Sequence, residues 1–438
     1  MIVERWTAAE VRALRVSALR DTQEQFARRI GWKVPTVRKW ERLTDGRSVR
    51  GDRAETLDTV LHGLTPDQLR RFTTALALSA PASPVHPGMA TEWHAVAPEE
   101  DADVRRRDFG KLAAMTAVSL PAWTQPPVRI GAEEVRQLAA AADALQAADQ
   151  QVGGVPLVDA AVTTLERAFD LLNTSSYDDA TGRAFMTATG KLAVQTGWLA
   201  FDADRHMLAR RYYSDALSLA SASADPDLTA RACLCAALQA ITLARAGQGS
   251  PSYALALIGR ARDLMRGRPP GRIHALIAAR EAGVYALLGD TGGFGRATAT
   301  AWRELDAALN LEPLEECPQW LRFVTPSEVR AHEARAHTDI GNPALALALY
   351  EVACAEFAQP RNAVNVRALL AAARVAVGDE HGALEEAGPV LAALEGGVTS
   401  ARTVKALAPV RAAARELPAG AEFAARFDAV TTTIRSTA

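Results

Sequence analysis

The chain has 438 residues, 49% of them hydrophobic and 23% charged, with a formal net charge of -2. That length excludes a single compact core, so two or more units are expected, and the composition is that of a folded, soluble chain. The small net charge hides an asymmetry: residues 1–78 carry +5 and the remainder -7, a basic head on an acidic body. Such a head suits contact with phosphate.

Ala and Leu are abundant, β-branched and aromatic residues are few, and no stretch alternates apolar with polar residues, so an all-α fold is expected. The head is predicted to be residues 1–78. Thr7 can cap a first helix running to about Leu19 with Val11, Leu14 and Ala18 on one face. Thr22 can cap a second, with Gln25 completing a capping box; Phe26, Ala27 and Ile30 form its buried face and Gly31 ends it. A third helix is predicted over 34–42 with Val37 and Trp40 inward, and two more near 52–62 and 66–77. A Pro-rich linker follows at 79–104, then a connecting segment at 105–130. Part of the latter, "RRRDFGKLAAMTAVSLPA", has the form of a twin-arginine export signal, but about a hundred residues precede it, so it reads as the linker's entry into a helix.

From 131 to 438 helices alternate with short Gly/Asp/Asn turns. Anchored on Asp202, Gly247, Gly289, Gly341 and Gly378, these turns lie 45, 42, 52 and 37 residues apart, a loose repeat of helix pairs. An apolar pattern recurs after several turns: Ala209, Tyr213 and Ala216; Ala254, Ile258 and Ala261; Ala346, Tyr350 and Ala353. That spacing resembles the second helix of tetratricopeptide repeats, and the resemblance implies a right-handed α-superhelix with a concave groove.

The second and third helices of the head have the layout of a helix-turn-helix. Gly31 permits the turn, Ala27 allows a close crossing, and Ile30, Val37 and Trp40 brace it. Lys33, Thr36, Arg38, Lys39 and Arg42 are left for the outer face, which in such a motif enters the major groove of DNA. The stretch "TQEQFARRIGWKVPTVRKWE" resembles the DNA-binding domain of Cro/C1-type (xenobiotic-response-element) repressors through Thr22, Gln23, Ala27, Gly31, Thr36, Val37, Trp40 and Glu41. The resemblance implies that Gln23 bonds a phosphate, that Thr36 and Arg38 approach base edges, and that Lys39 contacts phosphate or base. Lys33 stands where a capping serine is usual and Pro35 at a usual contact position, while the loop after the third helix adds Arg47 and Arg50. The whole order of segments is similar to a group of actinobacterial transcriptional regulators and, more distantly, to peptide-binding quorum-sensing regulators. It implies a homodimer on a double-stranded DNA operator, with half-sites about 34 Å apart.

The expected role of the repeats is to receive an effector: a peptide, a small molecule or a protein partner. A scaffold whose head no longer binds DNA is the remaining alternative. Gln195, Gln239, Arg280, Arg330 and Asn365 are candidates to line the groove, whereas Trp198 and Phe201 read as core. The segment carrying Trp320 and Phe323 breaks the rhythm and reads as an irregular connector or a cap on the groove. Cys233, Cys235, Cys317 and Cys354 are scattered and suit a reducing cytoplasm rather than bridges or a metal site. The eight histidines are dispersed, and no zinc-protease, phosphate-loop or nucleophile motif appears, so no catalysis, metal or cofactor is expected. No apolar run is long enough to span a membrane and no leader opens the chain, so it is expected in the cytoplasm, at the nucleoid.

Overall fold

The computed structural model describes residues 6–19, 21–42, 48, 49, 51–65, 68, 72, 127–356, 360–417 and 420–437. The chain divides into two compact units, Met1–Ala97 and Pro98–Ala438. The expected linker at 79–104, residues 105–126 with the export-like stretch, Arg47, Arg50 and most of the helix at 66–77 lie outside the described residues. The fold is all-α: among the described residues the only β features are two isolated bridges, Trp6 with Val49 and Arg129 with Ser176.

In the head, α1 (Ala8–Arg12) is capped by Thr7 and continues as a π-helical segment, Ala13–Leu19. α2 (Gln23–Ile30) starts on the Thr22–Gln25 capping box and ends at Gly31, which takes a left-handed φ of 74°. The turn is closed by the Trp32 amide donating to the Ala27 carbonyl at 3.0 Å, the long-range bond of a Schellman ending. α3 (Val34–Trp40) and α4 (Asp52–His62) complete the described head. Val11, Leu14, Ala18, Phe26, Ala27, Ile30, Val37 and Trp40 form one apolar core, as their spacing demanded.

The second unit opens with α5 (Ala132–Val152) and α6 (Val158–Thr174). Five helix pairs follow, each joined by a tight turn: α7 (Asp179–Asp202) with α8 (His206–Ala222), α9 (Pro226–Arg245) with α10 (Pro251–Met265), α11 (Arg272–Leu287) with α12 (Thr291–Leu311), α13 (Pro326–Asp339) with α14 (Pro343–Glu356), and α15 (Pro360–Ala376) with α16 (Glu380–Glu395). α17 (Ala401–Ala406), α18 (Ala408–Ala413) and α19 (Gly420–Thr437) end the chain. The first helices of neighbouring pairs pack on one another, α7 on α9, α9 on α11 and α11 on α13. The three predicted small–large–small triplets lie on the second helices α8, α10 and α14, and all nine residues are buried.

Close packing shows at Gly197 in α7. A Cβ there would lie 2.6 Å from Cε1 of Tyr213, the large member of the first triplet. Overpacking a core costs about 1–3 kcal/mol, while alanine in a helix regains about 1 kcal/mol over glycine. Gly197→Ala is therefore expected to lower stability by up to about 2 kcal/mol in urea unfolding, although alanine is the better helix former.

Two sequence expectations change. Asp202 is not the turn residue after α7. The left-handed position is Asp204, with φ 65°, and Asp202 is a fully buried last residue of the helix. Secondly, α9 is by length and composition long and apolar enough to cross a membrane, with 67% of its apolar window buried. It packs between helices on several sides, so it is apolar nearly all round.

The row of helices does not stay an open groove. α15 packs against α5, and α17 against α7. The Thr399 amide donates to the Val152 carbonyl at 2.7 Å, and the Thr399 hydroxyl to the same oxygen at 2.9 Å. Gly153 takes a left-handed φ of 81°, and a Cβ on it would meet the Thr399 carbonyl oxygen at 2.4 Å. The two ends of the stack thus close on each other.

Candidate functional site

Two places carry chemistry, one in each unit. In the head, Val37 and Trp40 point α3 inward, and the opposite side exposes Lys33, Arg38, Lys39 and Arg42, with Thr36 half-buried beside them. Behind that face stands Glu41, buried at 7% exposure. Arg15 Nε donates to Glu41 Oε1 at 2.6 Å and Gln23 Nε2 to Glu41 Oε2 at 2.7 Å. Arg12 Nη2 donates to the Glu41 carbonyl at 2.8 Å, and Arg38 Nε to Gln23 Oε1 at 3.1 Å. A chain of bonds therefore runs from the core of the head to one exposed guanidinium, restricting the conformations it must lose on binding. Both ends of the Gln23 amide are engaged within the head, where the family resemblance had assigned it to a phosphate. Thr22 serves first as a cap: its hydroxyl accepts from the Gln25 amide at 3.2 Å. Trp32 lies edge-on to Trp40 at 5.9 Å, with the Arg53 guanidinium 5.2 Å from its ring centre.

The second place is a cavity of about 310 Å³ inside the closed ring, bounded by α5, α7, α9, α11, α13, α15 and α17. α9 contributes Arg231, Cys235, Leu238, Thr242 and Arg245, a spacing that holds one face of a helix toward the space. Trp320 and Phe323 form part of the wall. Their connector follows α12 and lengthens the interval between Gly289 and Gly341 to the 52 residues that broke the repeat. Six arginines and one lysine face two carboxylates, Asp149 and Glu328.

Most of these cations are paired. Arg245 Nε reaches both oxygens of Asp339, at 3.0 and 2.8 Å, and Lys405 Nζ lies 2.5 Å from Asp204. Arg361 joins Asp202 at 2.5 Å and Asp149 at 3.4 Å, and Arg402 Nε joins Asp202 at 3.3 Å. Asp202 also accepts from the Gly154 amide at 3.0 Å and the Ser400 hydroxyl at 2.9 Å, and Asp149 accepts from Trp198 Nε1 at 2.9 Å. This clasp ties α5, α7, α15 and α17 together where the ring closes. Burial pushes the Asp202 carboxyl up, but Arg361 and Arg402 outweigh burial and hold it at about 2. Asp149 moves the other way, because burial raises it more than Arg361 lowers it.

Arg231 and Arg280 form no ion pair among the described residues. Arg231 Nη2 reaches only neutral oxygens, Gln146 Oε1 at 3.2 Å and Gln195 Oε1 at 3.3 Å, and its guanidinium lies 5.6 Å from the Trp320 ring centre. Arg280 is 3% exposed, and its Nε and Nη1 have no hydrogen-bond partner. Burial lowers the pKa of both, yet a guanidinium stays protonated at neutral pH. The thiol of Cys235 is pushed up by burial, and both guanidiniums act against that rise.

Of the five residues expected to line the groove, Gln195, Arg280 and Asn365 do so. Gln239 does not: its Nε2 donates to the His206 carbonyl at 2.7 Å, because it sits about 100° around α9 from the Leu238 stripe. Arg330 does not either: it faces outward, bonded to Glu356 Oε1 at 3.1 Å and 5.1 Å from the Trp302 ring centre. Trp198, expected in the core, lies on the cavity wall with Arg361 and Arg402 near its ring. Among the described residues no cluster of His, Cys, Asp and Glu could hold a metal.

No protein-family model and no curated protein matches the sequence. One solved structure similar to this chain is a Rap protein complexed with competence and sporulation factor. It is 12% identical over 77% of this chain and 98% of that one, with a TM-score of 0.46. A likeness that loose carries no conclusion about this chain.

Proposed function

We propose that the chain is a sequence-specific DNA-binding transcriptional regulator of the cytoplasm, acting as a homodimer, whose repeat unit receives an effector. The observation that supports it is the outward side of α3, where Lys33, Arg38, Lys39 and Arg42 are exposed while Val37 and Trp40 are buried. A helix-turn-helix serving only to pack against protein has no use for four cations on that side. DNA offers them phosphates, and it offers Arg38 the paired acceptors of guanine. Arg361 and Arg402 belong both to the cavity wall and to the clasp, so a ligand engaging them acts on ring closure. Such a ligand changes DNA affinity to the extent that it prefers one closure state.

Selection from a random duplex library tests the reading: the full chain is expected to enrich one sequence with two-fold symmetry, and recovery of unenriched DNA counts against it. On the selected duplex, Arg38→Ala is expected to weaken binding about tenfold to a hundredfold and relax preference at one base pair. Lys39→Ala is expected to weaken binding to all sequences alike and to flatten the salt dependence.

A further inference from the structure

The cavity of the repeat unit holds an electrostatic imbalance that its own side chains do not correct. Asp149 and Asp202 are committed to Arg361 and Arg402, and Asp339 to Arg245, while Glu328, which lies 3.4 Å from His332, acts on Arg280 through space without an ion pair to it. Arg280, at 3% exposure, keeps Nε and Nη1 unbonded, and the Gln195 amide nitrogen, also buried on the cavity wall, has no partner. Burying a charge with neither counter-ion nor hydrogen bonds is costly, and proteins tolerate it where a ligand supplies the missing partner. Arg231 adds a second cation that meets only neutral oxygens.

The remaining wall is mixed, with Glu328, His332, Arg335 and Asn365 beside an apolar stretch. Leu234, Leu276, Trp320, Phe323 and Val366 face the same space. A volume of about 310 Å³ falls in the range of small-molecule sites.

We propose that the cavity binds a small organic acid, its carboxylate or phosphate between Arg280 and Arg231 and its apolar body against Leu234, Leu276, Trp320 and Phe323. This deepens the effector reading above and rests on it only for the consequence at DNA. The bidentate fork of a guanidinium matches either anion, and the apolar stretch discriminates against inorganic phosphate.

Calorimetric titration of the full chain with butyrate, hexanoate, octanoate, octyl phosphate, 1-octanol and inorganic phosphate tests it. Affinity is expected to rise about fourfold per methylene from butyrate to octanoate. Octyl phosphate is expected to bind comparably, and 1-octanol and inorganic phosphate at least tenfold more weakly. Arg280→Met is expected to abolish octanoate binding while raising the melting temperature of the ligand-free protein by about 2–4 °C, since an unpaired buried charge is removed. A structural arginine would give the opposite shift. Equal binding of octanol and octanoate, no binding of octanoate or octyl phosphate at millimolar concentration, or a lowered melting temperature for Arg280→Met overturns the proposal. The octanol comparison on the unsubstituted protein decides even if that variant does not fold. DNA binding is measured separately on the selected duplex. Acid binding without DNA binding sinks only the regulator reading, and DNA binding without acid binding sinks only this one.

Discussion

Asp202→Asn is expected to lower the melting temperature of the repeat unit by on the order of 10 °C. Four groups converge on this carboxylate: Arg361, Arg402, the Gly154 amide and the Ser400 hydroxyl. Removing the charge leaves the buried Arg361 and the half-buried Arg402 with only Asp149 to balance them, and breaking a buried pair in this way costs about 3–5 kcal/mol. The same variant loosens the closure of the ring, since Asp202 ends α7, Arg361 lies on α15 and Arg402 on α17. Calorimetry of the two proteins is the direct check. The pH dependence adds a sign. The carboxyl is depressed from 3.8 to about 2, so its ionisation contributes about 2 kcal/mol that is present above pH 4 and lost as pH falls through about 2. The gap between the two proteins should therefore be constant at neutral pH and narrow on acidification. A gap that widens toward pH 2 contradicts the assignment.

The second large effect is expected in the head. Glu41→Ala removes the carboxylate that receives Arg15 and Gln23, with Arg15 at 14% and Glu41 at 7% side-chain exposure. Leaving that guanidinium half-buried and unpaired costs about 3 kcal/mol. A unit this small has a total stability near the low end of about 5–15 kcal/mol. The variant should lower the urea midpoint of the head's transition, followed by the fluorescence of Trp6, Trp32 and Trp40, and leave the repeat unit's transition unchanged. Glu41→Gln keeps an acceptor for Gln23 and is expected to fall between the two. DNA affinity should fall further than unfolding alone explains, because Gln23 no longer has the anchor from which it holds Arg38. A variant that unfolds at the midpoint of the unsubstituted protein shows that the Glu41 contacts do not hold the head together.

The head was legible in the sequence because its signals are local. Thr22 and Gln25 announce a helix start, Gly31 a stop, and the three-residue spacing of Val37 and Trp40 an inward face. The recurring triplets of the repeats were legible for the same reason, each lying within two turns of one helix. Closure of the ring was not. It joins Val152 to Thr399 and Asp202 to Arg361 and Arg402, and nothing near any of these residues in the chain marks a partner so distant. The cavity wall was half legible. Gln195, Arg280 and Asn365 stand out as polar residues on apolar helices, but so do Gln239 and Arg330, and periodicity alone does not tell the inner face from a neighbour's backbone. The stripe from Arg231 to Arg245 along α9 was the missed signal: four residues that can donate hydrogen bonds or carry charge, at helical spacing, on a mostly apolar helix.

Whether α3 lies in the major groove is read directly by methylation interference on the selected duplex. If it does, prior methylation of guanine N7 blocks binding at two places about 34 Å apart, and Arg38→Ala removes the block at one guanine of each half-site. Binding indifferent to methylation in the major groove, with or without Arg38, contradicts the account.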